Sequence, residues 1–208
     1  EWAGVDPENG DPLWYKDEVD ANKNPTGKRV TTNDYDSADY YYINKSSLPK
    51  VYGGFNTSLS WKGFDLSAIF AYSIGGYIYN RDITMILHNG SLEGRDWSTE
   101  ILKRWTPDNR YTDVPALSTT SNNWNSASTR FLQNNSYMRL KNLTLSYNLP
   151  KQWISKLSLS SVQVYVQGDN LFTIHRNQGL DPEQGITGIT YYRYPAMRTI
   201  SGGINVSF

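Results

Sequence analysis

Apolar and polar residues alternate with period two in several separate stretches of the chain. Phe55, Thr57, Leu59 and Trp61 alternate with Asn56, Ser58 and Ser60. After a break at Lys62-Gly63, Phe64, Leu66, Ala68, Phe70 and Tyr72 alternate with Asp65, Ser67, Ile69 and Ala71. Side chains of a strand point alternately to its two faces, so this reads as a hairpin closed by a tight turn. Strand character returns over 130–147, where Leu143, Leu145 and Tyr147 oppose Thr144 and Ser146. The phase slips at Lys141-Asn142, which predicts a bulge or the strand's exit from its packed zone. Val162, Val164 and Val166 alternate with Gln163, Tyr165 and Gln167. In RTISGGINVSF, Ile200, Gly202, Ile204, Val206 and Phe208 alternate with Ser201, Gly203, Asn205 and Ser207. Five strands are predicted.

Between them the chain is polar and rich in turn residues. Asp6-Pro7, Asn9-Gly10, Asp11-Pro12, Asn24-Pro25 and Thr26-Gly27 punctuate 1–50, read as a long ordered loop holding a short hairpin of Leu13–Tyr15 with Arg29–Thr32. The insertion 77–130 holds one predicted helix, DWSTEILKRWTPD, capped by Asp96 or Ser98 and stopped at Thr106-Pro107. Connections 62–63 and 149–160 are short, while 77–130 and 175–197 are long. Alternate connections of an up-and-down sheet fall on opposite rims, so one rim is trimmed and the other elaborated. That asymmetry is expected of an outer-membrane barrel.

Composition agrees. Lys+Arg and Asp+Glu both total 20 in 208 residues, which gives no electrostatic case for nucleic acid or an anionic membrane surface. With no Cys, disulfides, thiol catalysis and Cys-based zinc sites are excluded. No apolar run is long enough for a transmembrane helix; the longest, around Leu66–Ile74, is broken by Ser67 and Ser73. One strand face is apolar with aromatics, and the other carries Ser, Asn, Gln, Asp and Tyr. In a barrel these faces meet lipid and a wet lumen. Barrels must close, and bacterial ones need about eight strands or more, so a fragment of a larger barrel is expected.

The segments KVYGGFNTSLSWKGFDLS, ILKRWTPDN, TDVP, SYMRLKNLTLSYNLP, VYVQGDNLFT, GLDPE and RTISGGINVSF occur in that order, after an opening GVDPENGDPLWY. Together they resemble the C-terminal part of the SusC/RagA family of TonB-dependent outer-membrane transporters of Bacteroidetes. The resemblance implies an all-β fold: antiparallel transmembrane strands from a barrel of about 22 strands with a plugged lumen. It implies extracellular loops at 1–50, 77–130 and 175–197, a strand hairpin at 51–76 and the last three strands within 131–208. Lys62-Gly63 and 149–160 become periplasmic turns. The implied partners are a SusD-like surface lipoprotein acting as a lid, the TonB complex through an N-terminal part lying outside this chain, outer-membrane lipid, and an oligosaccharide or peptide substrate. A C-terminal aromatic resembles the signal read by the barrel-assembly machinery, which gives Phe208 a role in biogenesis.

Candidate contact residues are Trp97, Trp105 and Trp124 in the long insertion, able to stack on sugar rings, meet the lid or pack a local core. Tyr165, Gln167 and Asp169 are expected on the lumen face. No cofactor, metal or catalytic residue is expected. Asp20, Asn22 and Asn24 have the spacing of a calcium loop, but Pro25 stands where the turn needs Gly and Thr31 where a bidentate Glu belongs. His88 and His175 sit in no nucleophile motif. Glu93, Asp96 and Glu100 suit a helix start as well as a glycosidase pair. Two other readings remain, a secreted β-rich carbohydrate-binding module and, behind it, a surface glycoside hydrolase.

Overall fold

A computed structural model describes residues 1–90, 92, 94–118, 123–177, 179–183 and 185–208. The chain divides into two compact units, one formed by 1–45, 78–132 and 189–192 and the other by 46–77, 133–188 and 193–208.

The second unit is built on one antiparallel sheet of β4 (Val51–Trp61), β5 (Phe64–Ile74), β8 (Tyr137–Asn148), β9 (Ser161–His175) and β11 (Thr199–Ser207). Each strand pairs with its neighbour in this sequence, an up-and-down order with β4 and β11 at the edges. These are the five alternating stretches of the sequence. They run from 9 to 15 residues. Strands of globular proteins usually have about 5–6 residues, whereas crossing a bilayer at a tilt of about 45° takes about 9–11.

The register carries the alternation across the whole sheet. Leu59↔Leu66, Leu66↔Leu145, Leu145↔Val166 and Val166↔Gly202 form one apolar row; Phe64↔Tyr147, Tyr147↔Val164 and Val164↔Ile204 form the next. Phe55 stacks on Phe70 at 4.7 Å and Phe64 lies 4.5 Å from Tyr147. Among the described residues nothing covers this face: Leu145, Val166 and Ile204 are 43%, 47% and 64% exposed. A contiguous apolar surface of this kind marks a contact with something else. A sandwich module would have buried it under a second sheet.

The slip at Lys141 is a bulge. On the β5 side Asn142 opposes Ile69 and Leu140 opposes Phe70, leaving Lys141 over; on the β9 side Asn142 opposes Asp169 and Leu140 opposes Phe172. The extra residue keeps Leu140 on the apolar face despite the change of parity. On β9 the matching irregularity lies at Asn170, held at φ 52.

The first unit gives 1–50 more order than a loop with a short hairpin. β1 (Trp2–Val5), β2 (Pro12–Val19) and β3 (Pro25–Thr32) form a three-stranded antiparallel sheet, in which Trp14 pairs with Thr32 and Asp17 with Arg29. Trp14 is buried at its centre, edge-on to Trp2 and Tyr35. The insertion has its own core of Leu87, Ile101, Val114 and Trp124, with Ile83 packed against it. The helix predicted over 96–108 is a short 3-10 turn, Thr99–Lys103, capped by the Ser98 side chain accepting from the Glu100 amide. It ends at Arg104 because the Trp105 amide leaves to donate to the Val114 carbonyl. The α-helix of the insertion is instead α1 (Arg81–Ile86), capped by Asn80, after β6 (Tyr77–Asn80). The fold also contains the strand β7 (Leu132–Asn134), the helix α2 (Lys151–Ile154) and a parallel pairing of β10 (Ile189–Thr190) with β6.

Candidate functional site

The face opposite the apolar band is a hydrogen-bonded polar wall. Alternation and register place Ser58, Ser67, Thr144, Gln167 and Ser201 in one cross-strand row, and Ser60, Asp65, Ser146, Tyr165 and Gly203 in the next. Asp65 accepts from the Ser60 hydroxyl and from Asn148 Nδ2 at 2.6 Å. Asp169 accepts from Asn142 Nδ2 at 2.8 Å and from Gln167 Nε2 at 3.2 Å. Gln163 donates to Ser146 at 3.2 Å and accepts from Asn205 at 3.3 Å. Tyr165, Gln167 and Asp169 therefore share one face of β9, as their spacing requires. The Tyr165 ring covers Gly203, where a Cβ would lie 2.7 Å from its hydroxyl.

At the loop end of this sheet sits an ion-pair cluster that the sequence reading missed. Arg139 is 3% exposed. Its Nη2 donates to Asp181 Oδ1 at 2.5 Å, Nη1 to Glu183 Oε2 at 2.7 Å and Nε to Thr173 Oγ1 at 2.8 Å. Lys141 Nζ adds a contact to Glu183 at 2.8 Å. Asp181 also accepts from the Glu183 and Ala196 amides, so one carboxylate ties its own turn to the stretch that leads into β11. Burial pushes that carboxyl up, but the Ala196 and Glu183 amides and the Arg139 guanidinium outweigh it and hold the pKa below the usual range. The available signal was GLDPE, an acidic pair beside a Pro, far from Arg139 in sequence. Beside the cluster, Arg193, Arg198, Phe172 and Leu180 help to line an open pocket of about 530 Å³.

The tryptophans of the insertion belong to the first unit and differ in access. Trp124 is 1% exposed and donates from Nε1 to the Ala116 carbonyl at 2.9 Å, so its ring is core. Trp105 donates from Nε1 to the Pro7 carbonyl at 3.1 Å and lies against Gly10, whose φ of +81 and contact with the ring leave no room for a side chain. Trp97 is 45% exposed and donates to His88 Nδ1 at 3.3 Å. It keeps a free ring surface. Phe208 is 91% exposed beyond the end of β11.

The remaining titratable candidates have local roles. His88 Nδ1 accepts from the Gly90 and Leu92 amides as well as from Trp97, and burial, then the nearby Arg95 charge, lowers its pKa. His175 Nδ1 lies against Asn177. Asp20 accepts from the Asn22 and Asn24 amides, which closes the β2–β3 turn and commits the carboxylate of the calcium-like sequence. Asp96 is exposed and Glu100 pairs with Lys103 at 2.6 Å; Glu93 lies outside the described residues. Arg130, its pKa pushed down to about 10 by burial, is framed by Trp2, Phe131 and Trp124 at 4.9, 5.3 and 5.9 Å. A second cavity of about 320 Å³, lined by Trp14, Tyr35, Tyr41, Tyr79, Asp36 and Asp39 among others, lies within the same unit.

No family model matches the chain. It is 34% identical over 166 residues to TonB-dependent receptor P3 of Formosa agariphila, covering 74% of this chain and 16% of that protein. It is 29% identical over 202 residues to TonB-dependent receptor SusC of Bacteroides thetaiotaomicron, covering 97% and 18%. The chain thus spans less than a fifth of the length of the curated relatives it matches. Its fold superposes on the RagAB peptide transporter with a TM-score of 0.84 at 36% identity, covering 100% of this chain and 22% of that one. The open-open state of the RagAB peptide importer gives 0.82 at 35% identity.

Proposed function

This chain belongs to the SusC/RagA family of TonB-dependent outer-membrane receptors, and from that premise we propose that it forms the C-terminal part of the barrel wall in an importer of oligosaccharides or peptides. The observation that carries the reading is the uncovered apolar band running through all five strands of the sheet, backed by a hydrogen-bonded polar face. Lipid accounts for the first and a water-filled lumen for the second. Both edges of the sheet then pair with further strands of the barrel, since an open edge is not tolerated in hydrocarbon.

The rim carrying 62–63 and 149–160 faces the periplasm in this reading, and 1–50, 77–130 and 175–197 face the outside. Trp61, Phe64 and Tyr147 lie together at the short-loop rim, where an aromatic girdle belongs. A SusD-like lipoprotein closes over the outer rim, with Trp97 as the accessible tryptophan available to it or to substrate. Tyr165, Gln167 and Asp169 line the path. Energy comes from TonB through parts of the protein beyond this chain. The likeness to a peptide transporter favours peptides, while the family resemblance favours oligosaccharides. No step needs covalent chemistry from these residues.

Uptake decides. Cells lacking the full-length gene should lose uptake of one labelled class, peptide or oligosaccharide, and a protonophore should abolish the same uptake in wild-type cells. Unchanged uptake of both classes in the deletion strain would contradict the import function.

A further inference from the structure

The pocket beside the Arg139 cluster lies at the loop end of β9, which runs on past the last residue paired with β11, Asp169↔Thr199. Its charged lining is unbalanced: three guanidiniums, of Arg139, Arg193 and Arg198, stand against the single carboxylate of Asp181. Asp181 and Arg139 are committed to each other and to their further partners. Arg193 and Arg198 make no ion pair among the described residues, and both are exposed. The rest of the lining is largely apolar, with Phe172, Leu180, Pro182 and Pro195. Two uncommitted guanidiniums beside an apolar floor suit a carboxylate on a carbon frame, because the guanidinium fork matches the two carboxylate oxygens. Asp181 does not compensate them, since its charge is already met by Arg139 at 2.5 Å.

We propose that this pocket is an anion subsite in which Arg193 and Arg198 take the carboxylate of an acidic substrate residue, while Leu180, Pro182 and Pro195 receive its carbon frame. The Arg139–Asp181–Glu183 cluster is the support that holds the loop carrying Arg193 in place. The same chemistry is offered by a glutamate or aspartate side chain and by a uronic acid. Only its description as part of a transport path rests on the import reading.

The test uses the purified full-length receptor and two matched pairs of probes: a short glutamate peptide with its glutamine counterpart, and a galacturonate oligosaccharide with its methyl ester. Calorimetry on the wild type should show one carboxylate probe binding at least about tenfold tighter than its neutral twin, the scale of a lost charged hydrogen bond. Which pair shows the preference identifies the source of the carboxylate. The double substitution Arg193→Gln with Arg198→Gln should erase the preference, so that the two probes of the pair bind alike, while leaving the melting temperature unchanged. If that variant melts early, the single substitutions make the same comparison, each removing part of the preference. No preference in either pair, or a preference that survives the substitutions, overturns the proposal. Absence of the preference in the wild-type receptor with uptake intact overturns only this inference, whereas a wild-type preference without uptake overturns only the import function.

Discussion

Arg139 is only 3% exposed, and three acceptors converge on its guanidinium. A buried pair is weak evidence for net stability, but removing one partner leaves the other charge stranded and costs about 3–5 kcal/mol. Arg139→Met should therefore free the loop 176–198, read as faster proteolytic cleavage there in the folded receptor. Adding Asp181→Asn should partly restore resistance. The anchoring has a defined pH dependence. The Asp181 pKa is depressed in the fold, so its contribution is complete above the ordinary carboxylate pKa of about 3.9 and is lost as pH falls through the lower folded value. His88 has a lowered pKa too, with the opposite charge sense. The unfolded ring takes up its proton near pH 6.5, and the folded ring only at lower pH, so acidification below about 6.5 should destabilise the insertion core. A lower protection factor at Gly90 and Leu92 at pH 5.5 than at pH 7, with intrinsic exchange at each pH divided out, would report it; an unchanged protection factor would contradict it.

Among the elements, the strands were legible because alternation is local. Phe64, Leu66 and Ala68 face one way whatever the rest of the chain does, and Lys62-Gly63 closes the hairpin within its own neighbourhood. The Lys141 bulge was visible for the same reason, as a phase slip. Its removal should be severe, since a one-residue shift sends every side chain beyond it to the other face. Deleting Lys141 should leave little of the heat-modifiable folded form on electrophoresis. On the apolar face Leu143→Arg, at mid-strand opposite Ala68, should cost about 2–4 kcal/mol, whereas Gln167→Ala on the polar face should be nearly silent in folding yield. The first unit was much less legible. Its order depends on contacts such as the Trp2 amide with Thr129, 127 residues away, and Trp105 with Pro7. Such pairs leave no periodic trace. For the same reason the helix predicted over 96–108 became a 3-10 turn, and a core tryptophan, Trp124, could not be told from an exposed one such as Trp97 by sequence.

At the scale of the whole molecule, the sheet's role depends on the two solvents that meet its faces. Rim asymmetry, strand length and family all point to lipid on one side and water on the other. The candidate site divides along the same line. Its strand residues, Tyr165, Gln167 and Asp169, were readable from period two, while Arg139 with Asp181 and the Arg193–Arg198 pocket arise from loop return and were not.

The most direct measurement places single spin labels at Leu145, Val166 and Ile204, and at Thr144, Gln167 and Asn205, in the full-length receptor reconstituted in bilayers. Collisions with oxygen report lipid, and collisions with a water-soluble nickel chelate report the lumen. The account predicts oxygen access at the first set and nickel access at the second, alternating residue by residue along β8, β9 and β11. Nickel access at both sets, or access to neither reagent at Leu145, Val166 and Ile204, would contradict it.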